Sequence, residues 1–233
     1  MRRPVGKSKS TSHVRGKVRN SRTINKKSVA EGFNTSAGLA APAAEAPVEI
    51  PEPRPDGFPI VGVGASAGGL EAFTELLEAL PSDTGMAFVL VQHLDPKHES
   101  LLSEILSRST AMPVREVNHA TPVEPNQVYV TASGVDLYIR NRVLQVTPRK
   151  ATHDVPMPID YFFRSLAEEV GNKAMGVILS GTGSDGSLGL KAIKAEAGIT
   201  FAQEEKTAKY EGMPRSAVAA GCVDFVLPPA GIP

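Results

Sequence analysis

Three short apolar runs in this chain each lead into a residue capable of nucleophilic chemistry. After residues 60–63 comes Gly64-Ala65-Ser66-Ala67-Gly68-Gly69, and after residues 88–91 comes Gln92-His93. After residues 177–179 comes Ser180-Gly181-Thr182-Gly183-Ser184-Asp185-Gly186. In an open parallel sheet, functional groups collect beyond the C-terminal ends of the strands. Read as such strands, the three runs bring a hydroxyl, an imidazole and a carboxylate to one sheet edge. In series these groups make a nucleophile, a general base and an orienting acid. The coincidence of three strand ends weighs more than any one motif.

Each residue alone has a plainer reading. Gly64-x-Ser66-x-Gly68 fits a strand–turn–helix elbow that lifts a serine hydroxyl clear of the backbone. Serine is also a common helix cap, and Gly62-x-Gly64-x-x-Ala67 matches a dinucleotide-binding fingerprint with Ala last. For that fingerprint Asp95, two residues after His93, is the candidate ribose-binding acid. A lone histidine is more often a satisfied structural one, but beside a candidate nucleophile His93 has the pKa range a base needs. Asp185 is a candidate helix cap as well as a triad acid, and Glu204 and Glu205 compete with it for the acid role. The glycine-rich loop before Asp185 is not followed by the Gly-Lys-Ser/Thr of a phosphate-binding loop. His13, His98, His119 and His153 show no zinc-type spacing, so neither a metal nor a cofactor is expected.

The elements that would position these residues follow from hydrophobic periodicity. Strands are expected at residues 59–64, 86–91, 174–179, 199–202 and 223–227. Helices are expected at 69–80, around Leu101–Leu106, and at 159–170, 187–196 and 215–220, with Pro113 ending the second. Residues 127–147 break the rhythm. Short strands read there at 128–130, 136–140 and 143–146, with Asn141-Arg142 as the turn of a small antiparallel hairpin insertion. The expected architecture is α/β: a doubly wound, mostly parallel sheet with helices on both faces and that hairpin inserted.

Composition divides the chain in two. Residues 1–30 hold ten Lys or Arg and no acid, which leaves 15 basic against 25 acidic residues in 31–233. The balanced total thus hides a basic tail on an acidic body, and an acidic body argues against nucleic acid as partner of the folded part. Residues 1–57 read as a disordered basic tail passing into an Ala/Pro-rich linker, and residues 58–233 as the folded domain. Cys222 is the single cysteine, so no intramolecular disulfide forms, and it reads as a buried, inert thiol. No run is apolar enough to span a bilayer and the start lacks a secretory signal, which makes the cytoplasm the expected location.

Taken together, the Ser66 turn, Gln92-His93, the Gly181–Gly186 loop, Ala208 and Gly212-Met213-Pro214-Arg215 resemble the catalytic domain of the chemotaxis protein-glutamate methylesterases (CheB type). The resemblance covers about residues 58–230. It implies a Ser66–His93–Asp185 triad, with the backbone N–H groups of Ala67 and Thr182 as expected oxyanion donors. It further implies a substrate of glutamyl methyl esters on the cytoplasmic helices of chemoreceptors, and deamidation of certain receptor glutamines. Ala67 stands where the family usually has Thr, and Thr182 where it usually has Met. The order Ser, His, Asp differs from that of the α/β-hydrolases. A basic tail and linker stand where the family's receiver domain is expected. The chain is also similar to methylesterase domains joined to a receptor methyltransferase, which makes such an enzyme a second expected partner. Two rival readings are a non-catalytic, receptor-binding module of the same fold and a dinucleotide-binding enzyme.

Overall fold

The computed structural model describes residues 57–93, 101–149 and 156–233. The basic tail, nearly all of the linker, Asp95, His98 and His153 lie outside the described residues. In chain order the strands are β1 (Ile60–Ala65), β2 (Ala87–Gln92), β3 (Val114–Val117), β4 (Thr121–Pro122) and β5 (Gln127–Thr131). They continue as β6 (Val135–Arg140), β7 (Val143–Pro148), β8 (Ala174–Ile178), β9 (Ile199–Gln203) and β10 (Phe225–Leu227). The helices are α1 (Gly69–Ala79), α2 (Leu102–Leu106), α3 (Pro158–Val170), α4 (Ser187–Ala195) and α5 (Gly212–Ala219).

Seven strands form a sheet in the order β10-β9-β8-β1-β2-β5-β3, and every neighbouring pair in it is parallel. Its central strands β1, β2, β5 and β8 are buried on both faces almost throughout, as helices on each side require. The alternation is visible along β2. Ala87, Val89 and Val91 enter a core shared with Ile159, Phe162, Phe163 and Leu166 of α3 and Leu190 and Ile193 of α4. Phe88 and Leu90 face the opposite core, with Phe73, Leu76 and Leu77 of α1 and Leu102 and Leu106 of α2. The chain leaves β1 toward β2 on one side and returns through β8 on the other. The switch in winding direction therefore falls at β1, where crevices open in such sheets.

The expected doubly wound architecture is what the chain adopts, with several differences in detail. The strand expected at 128–130 spans residues 127–131 and joins the main sheet: as β5 it pairs in parallel with β2 and β3. Strand β3 was not expected, because Val114-Arg115-Glu116-Val117 is an edge strand whose central residues are exposed and charged. The insertion proper is three-stranded, β4-β7-β6, rather than a lone hairpin. Its turn lies at Asn141 and Arg142, with φ of 51° and 56°, the double left-handed geometry that matches the twist of paired strands. Helix α5 starts at Gly212, earlier than periodicity alone places it, and β10 is shorter than expected. Cys222 is buried, and burial raises its thiol pKa above the ordinary value.

Candidate active site

Strand register does most of the work of assembling the site. β1 pairs with β2 so that Ala65 lies opposite Gln92, and the next residues on each strand are Ser66 and His93. On the other side Gly64 lies opposite Ile178, and the Ser66 N–H donates to the Ser180 carbonyl at 3.0 Å. The hydroxyl and imidazole are thus neighbours by sheet geometry alone. Ser66 Oγ lies 3.2 Å from His93 Nδ1. On the far side of the ring, His93 Nε2 lies 2.8 Å from Asp185 Oδ2. An ionised carboxylate only accepts, so Nε2 carries the proton toward Asp185 and Nδ1 is left as the acceptor facing the hydroxyl.

Ser66 is not the helix cap. The N-cap of α1 is Gly68, at φ 73°, and Ser66 contributes only its carbonyl, which accepts the Gly69 N–H at 2.9 Å. A side chain at Gly68 would sit in a strained left-handed conformation, its Cβ 2.7 Å from Ser180 Oγ. Asp185 does not cap the helix that follows it either. Its Oδ1 accepts the N–H groups of Asp160 and Gly186, each at 2.9 Å, and its Oδ2 accepts that of Ile159 at 3.0 Å. Ile159 and Asp160 belong to the first turn of α3, where backbone N–H groups lack partners within the helix. The carboxylate, 2% exposed, is therefore held by the positive end of a helix remote in sequence. The rival acids lie elsewhere: Glu204 is ion-paired with Lys206 and Glu205 with Arg215.

Gly62 and Gly64 are glycines for a packing reason. A Cβ on Gly62 would come within 2.8 Å of Phe163 Cε1, and one on Gly64 within 2.4 Å of Ile159 Cγ2. Helix α3 lies directly on the β1 backbone there, which accounts for two of the positions that matched a dinucleotide fingerprint. Gly181 is likewise confined: its Cβ would come within 2.1 Å of Met213 Sδ and 3.0 Å of Ser66 Cβ. The turn carrying Thr182 therefore abuts the serine. The N–H groups of Ala67 and Thr182 have no acceptor among the described residues.

Sequence reasoning passed over Ser180, which is completely buried and joins three segments of the site. Its Oγ donates to the Ala67 carbonyl at 2.8 Å and accepts the Tyr210 N–H at 3.0 Å. Its own N–H donates to Gln203 Oε1 at 2.8 Å. The signal was available, since Ser180 lies two residues beyond the end of β8, but a serine beside three glycines reads as loop. Ser180→Ala is expected to cost about 1–3 kcal/mol, the usual consequence of stranding buried partners. Urea unfolding at constant m-value measures this, and an unchanged midpoint would show the hydroxyl to be dispensable.

An open, doubly wound α/β sheet with a Ser–His–Asp array at its switch point defines the class of this domain. Comparison with known proteins narrows it. Residues 61–233 match the family model described as CheB methylesterase, and the chain belongs to that family. It is 41% identical over 181 residues to protein-glutamate methylesterase/protein-glutamine glutaminase 2 of Burkholderia lata, covering 76% of this chain and 53% of that protein. A protein of the same general name from Bordetella parapertussis is 36% identical over 205 residues, covering 84% of this chain and 58% of the relative. The chain thus spans little more than half the length of these relatives. The crystal structure of the Thermotoga maritima CheB methylesterase catalytic domain superposes with a TM-score of 0.68 at 29% identity, covering 76% of this chain and 95% of that one. Among the described residues no helix is long and apolar enough to cross a membrane.

Proposed function

We propose that residues 58–233 form a protein-glutamate methylesterase domain, with Ser66 as nucleophile, His93 as general base and acid, and Asp185 as the orienting carboxylate. The observation that carries this reading is the unbroken series Ser66 Oγ–His93 Nδ1 (3.2 Å) and His93 Nε2–Asp185 Oδ2 (2.8 Å). The substrate is a protein glutamyl methyl ester, as the names of the relatives favour, carried on a cytoplasmic chemoreceptor helix as membership of the CheB methylesterase family favours. Ser66 Oγ bonds to the ester carbonyl carbon as its proton passes to His93 Nδ1. The C–O bond to methoxide then breaks, and His93 returns the proton so that methanol leaves. Water attacks the acyl-enzyme, giving its proton to His93, and the glutamyl carboxylate departs as Ser66 regains its hydrogen. Ala67 and Thr182 N–H groups are the oxyanion donors, a role in which one donor is worth about 3 kcal/mol of barrier. An amide in place of the ester gives the glutaminase reaction, with ammonia leaving.

The domain works in the cytoplasm, where receptor helices carry their methyl esters, and a receptor methyltransferase is its second partner. Residues 1–57 form the tail and linker ahead of it. Labelling with a fluorophosphonate followed by peptide mapping is expected to modify Ser66 in the native chain and to fail in His93→Ala. Methylated receptor is expected to release methanol in the same preparations. Receptor binding with neither labelling nor methanol release would replace this reading by that of a non-catalytic module.

A further inference from the structure

Asp185 is not the only buried carboxylate at this end of the molecule. Asp160, in the first turn of α3, is 4% exposed, and its Oδ1 accepts the Gly189 N–H at 2.6 Å. Its Oδ2 is buried without a hydrogen-bond partner among the described residues. Gly189 lies in the first turn of α4, and Asp185 lies just ahead of that helix. The two carboxylates are thus exchanged. Asp185, on the α4 side, takes two N–H groups from the start of α3, while Asp160, on α3, takes one from the start of α4. The helices meet closely at this point, since a Cβ on Gly189 would come 2.4 Å from Phe163 Cβ and 3.2 Å from Asp160 Cα.

We propose that Asp160 is a positioning residue for the reaction, fixing the Asp185 carboxylate against His93 by locking the start of α4 to the start of α3. The inference rests on the triad reading given above and adds a residue to it. Asp185 has no rigid strand of its own. It ends the exposed turn Thr182-Gly183-Ser184, and the described groups that hold its carboxylate are His93, the neighbouring Gly186 N–H and two N–H groups of α3. The Asp160–Gly189 bond is the reciprocal tie that stops α4, and Asp185 with it, from sliding along α3. Burial raises the Asp160 carboxyl above its ordinary pKa, partly offset by the Gly189 N–H, with the Asp185 charge adding to the rise. Loss of that charge is therefore no handicap in itself, and an amide oxygen can accept the same N–H.

The test compares Asp160→Ala with Asp160→Asn in the full chain. Two readouts are needed: the rate of fluorophosphonate labelling at Ser66 and the downfield proton resonance of the His93 Nε2–H bound to Asp185. Asp160→Ala is expected to label about 10- to 100-fold more slowly, the scale of a small misplacement in a catalytic array, and to lose or shift the imidazole resonance. Asp160→Asn is expected to restore both to near native values. Should alanine fail to fold, Asp160→Ser, too short to reach Gly189, replaces it in the comparison. A truncated variant that folds, labels at the native rate and keeps the resonance overturns the proposal, and so does an asparagine variant that rescues neither readout. If native Ser66 does not label at all, the esterase reading fails, and the resonance alone then decides whether Asp160 orients Asp185.

Discussion

Ser66→Ala is expected to lose at least about 10³-fold in the rate of methanol release while unfolding like the native chain. The separation of the two effects follows from the geometry. Among the described residues the Ser66 hydroxyl has one partner, His93 Nδ1, and the side chain is only partly buried. What the elbow needs structurally comes from the backbone: the N–H bound to Ser180 and the carbonyl bound to Gly69. Alanine keeps both, so the stability change should stay within about 1 kcal/mol, the net worth of one ordinary hydrogen bond. Residual rate would come from groups that polarise the carbonyl without a covalent step. Methanol release and thermal unfolding, measured on the same preparation, check both halves. A variant hydrolysing ester at the native rate would remove Ser66 from the mechanism.

Asp185→Asn carries the second large effect, on rate and stability together. Asp185 accepts on both oxygens: Asp160 and Gly186 N–H on Oδ1, Ile159 N–H and His93 Nε2–H on Oδ2. An amide has one oxygen. Placed to satisfy two backbone donors, it turns its NH2 toward the Ile159 N–H and the ring. His93 then presents Nε2 as acceptor and turns a protonated Nδ1 toward Ser66, which cannot take the serine's proton. A tautomer error of this kind costs about 10⁴-fold in the trypsin triad. The facing donors at Ile159 add about 1–3 kcal/mol of lost stability. Turnover and denaturant unfolding read the two losses, and a variant that keeps native turnover would exclude Asp185 as the orienting acid.

The central features of the site were legible because they depend on strand ends. Ser66 and His93 each follow a continuous apolar run, as a strand buried on both faces of a parallel sheet requires, so their adjacency needs no loop to be guessed. The supporting contacts were not legible, for a physical reason. Asp185 finds its donors at the start of α3, some 25 residues back in the sequence, and only the crossing of two helices brings those donors near. Neither periodicity nor propensity encodes a crossing. Asp160 was hidden in the same way, reading as an ordinary acid in a first turn. Strand β3 was missed because an edge strand is paired on one side only and keeps charged residues, Arg115 and Glu116, in its middle. The strand at β5 was legible but its place in the main sheet was not, because its apolar run is followed at once by the hairpin, whose alternation blends into it.

The bare backbone of β1 beneath α3 has an outcome for how this protein can vary. Two positions, Gly62 and Gly64, leave no room for even a methyl group, because Ile159 and Phe163 already fill the space. Any enlargement there would lift the helix that grips the acid away from the strand that bears the hydroxyl, widening the gap between them from a point neither residue touches. Chemistry in this domain is thus vulnerable to changes well below its mouth, and an engineer wishing to retune it should leave that seam alone and alter the exposed turn at Thr182 instead.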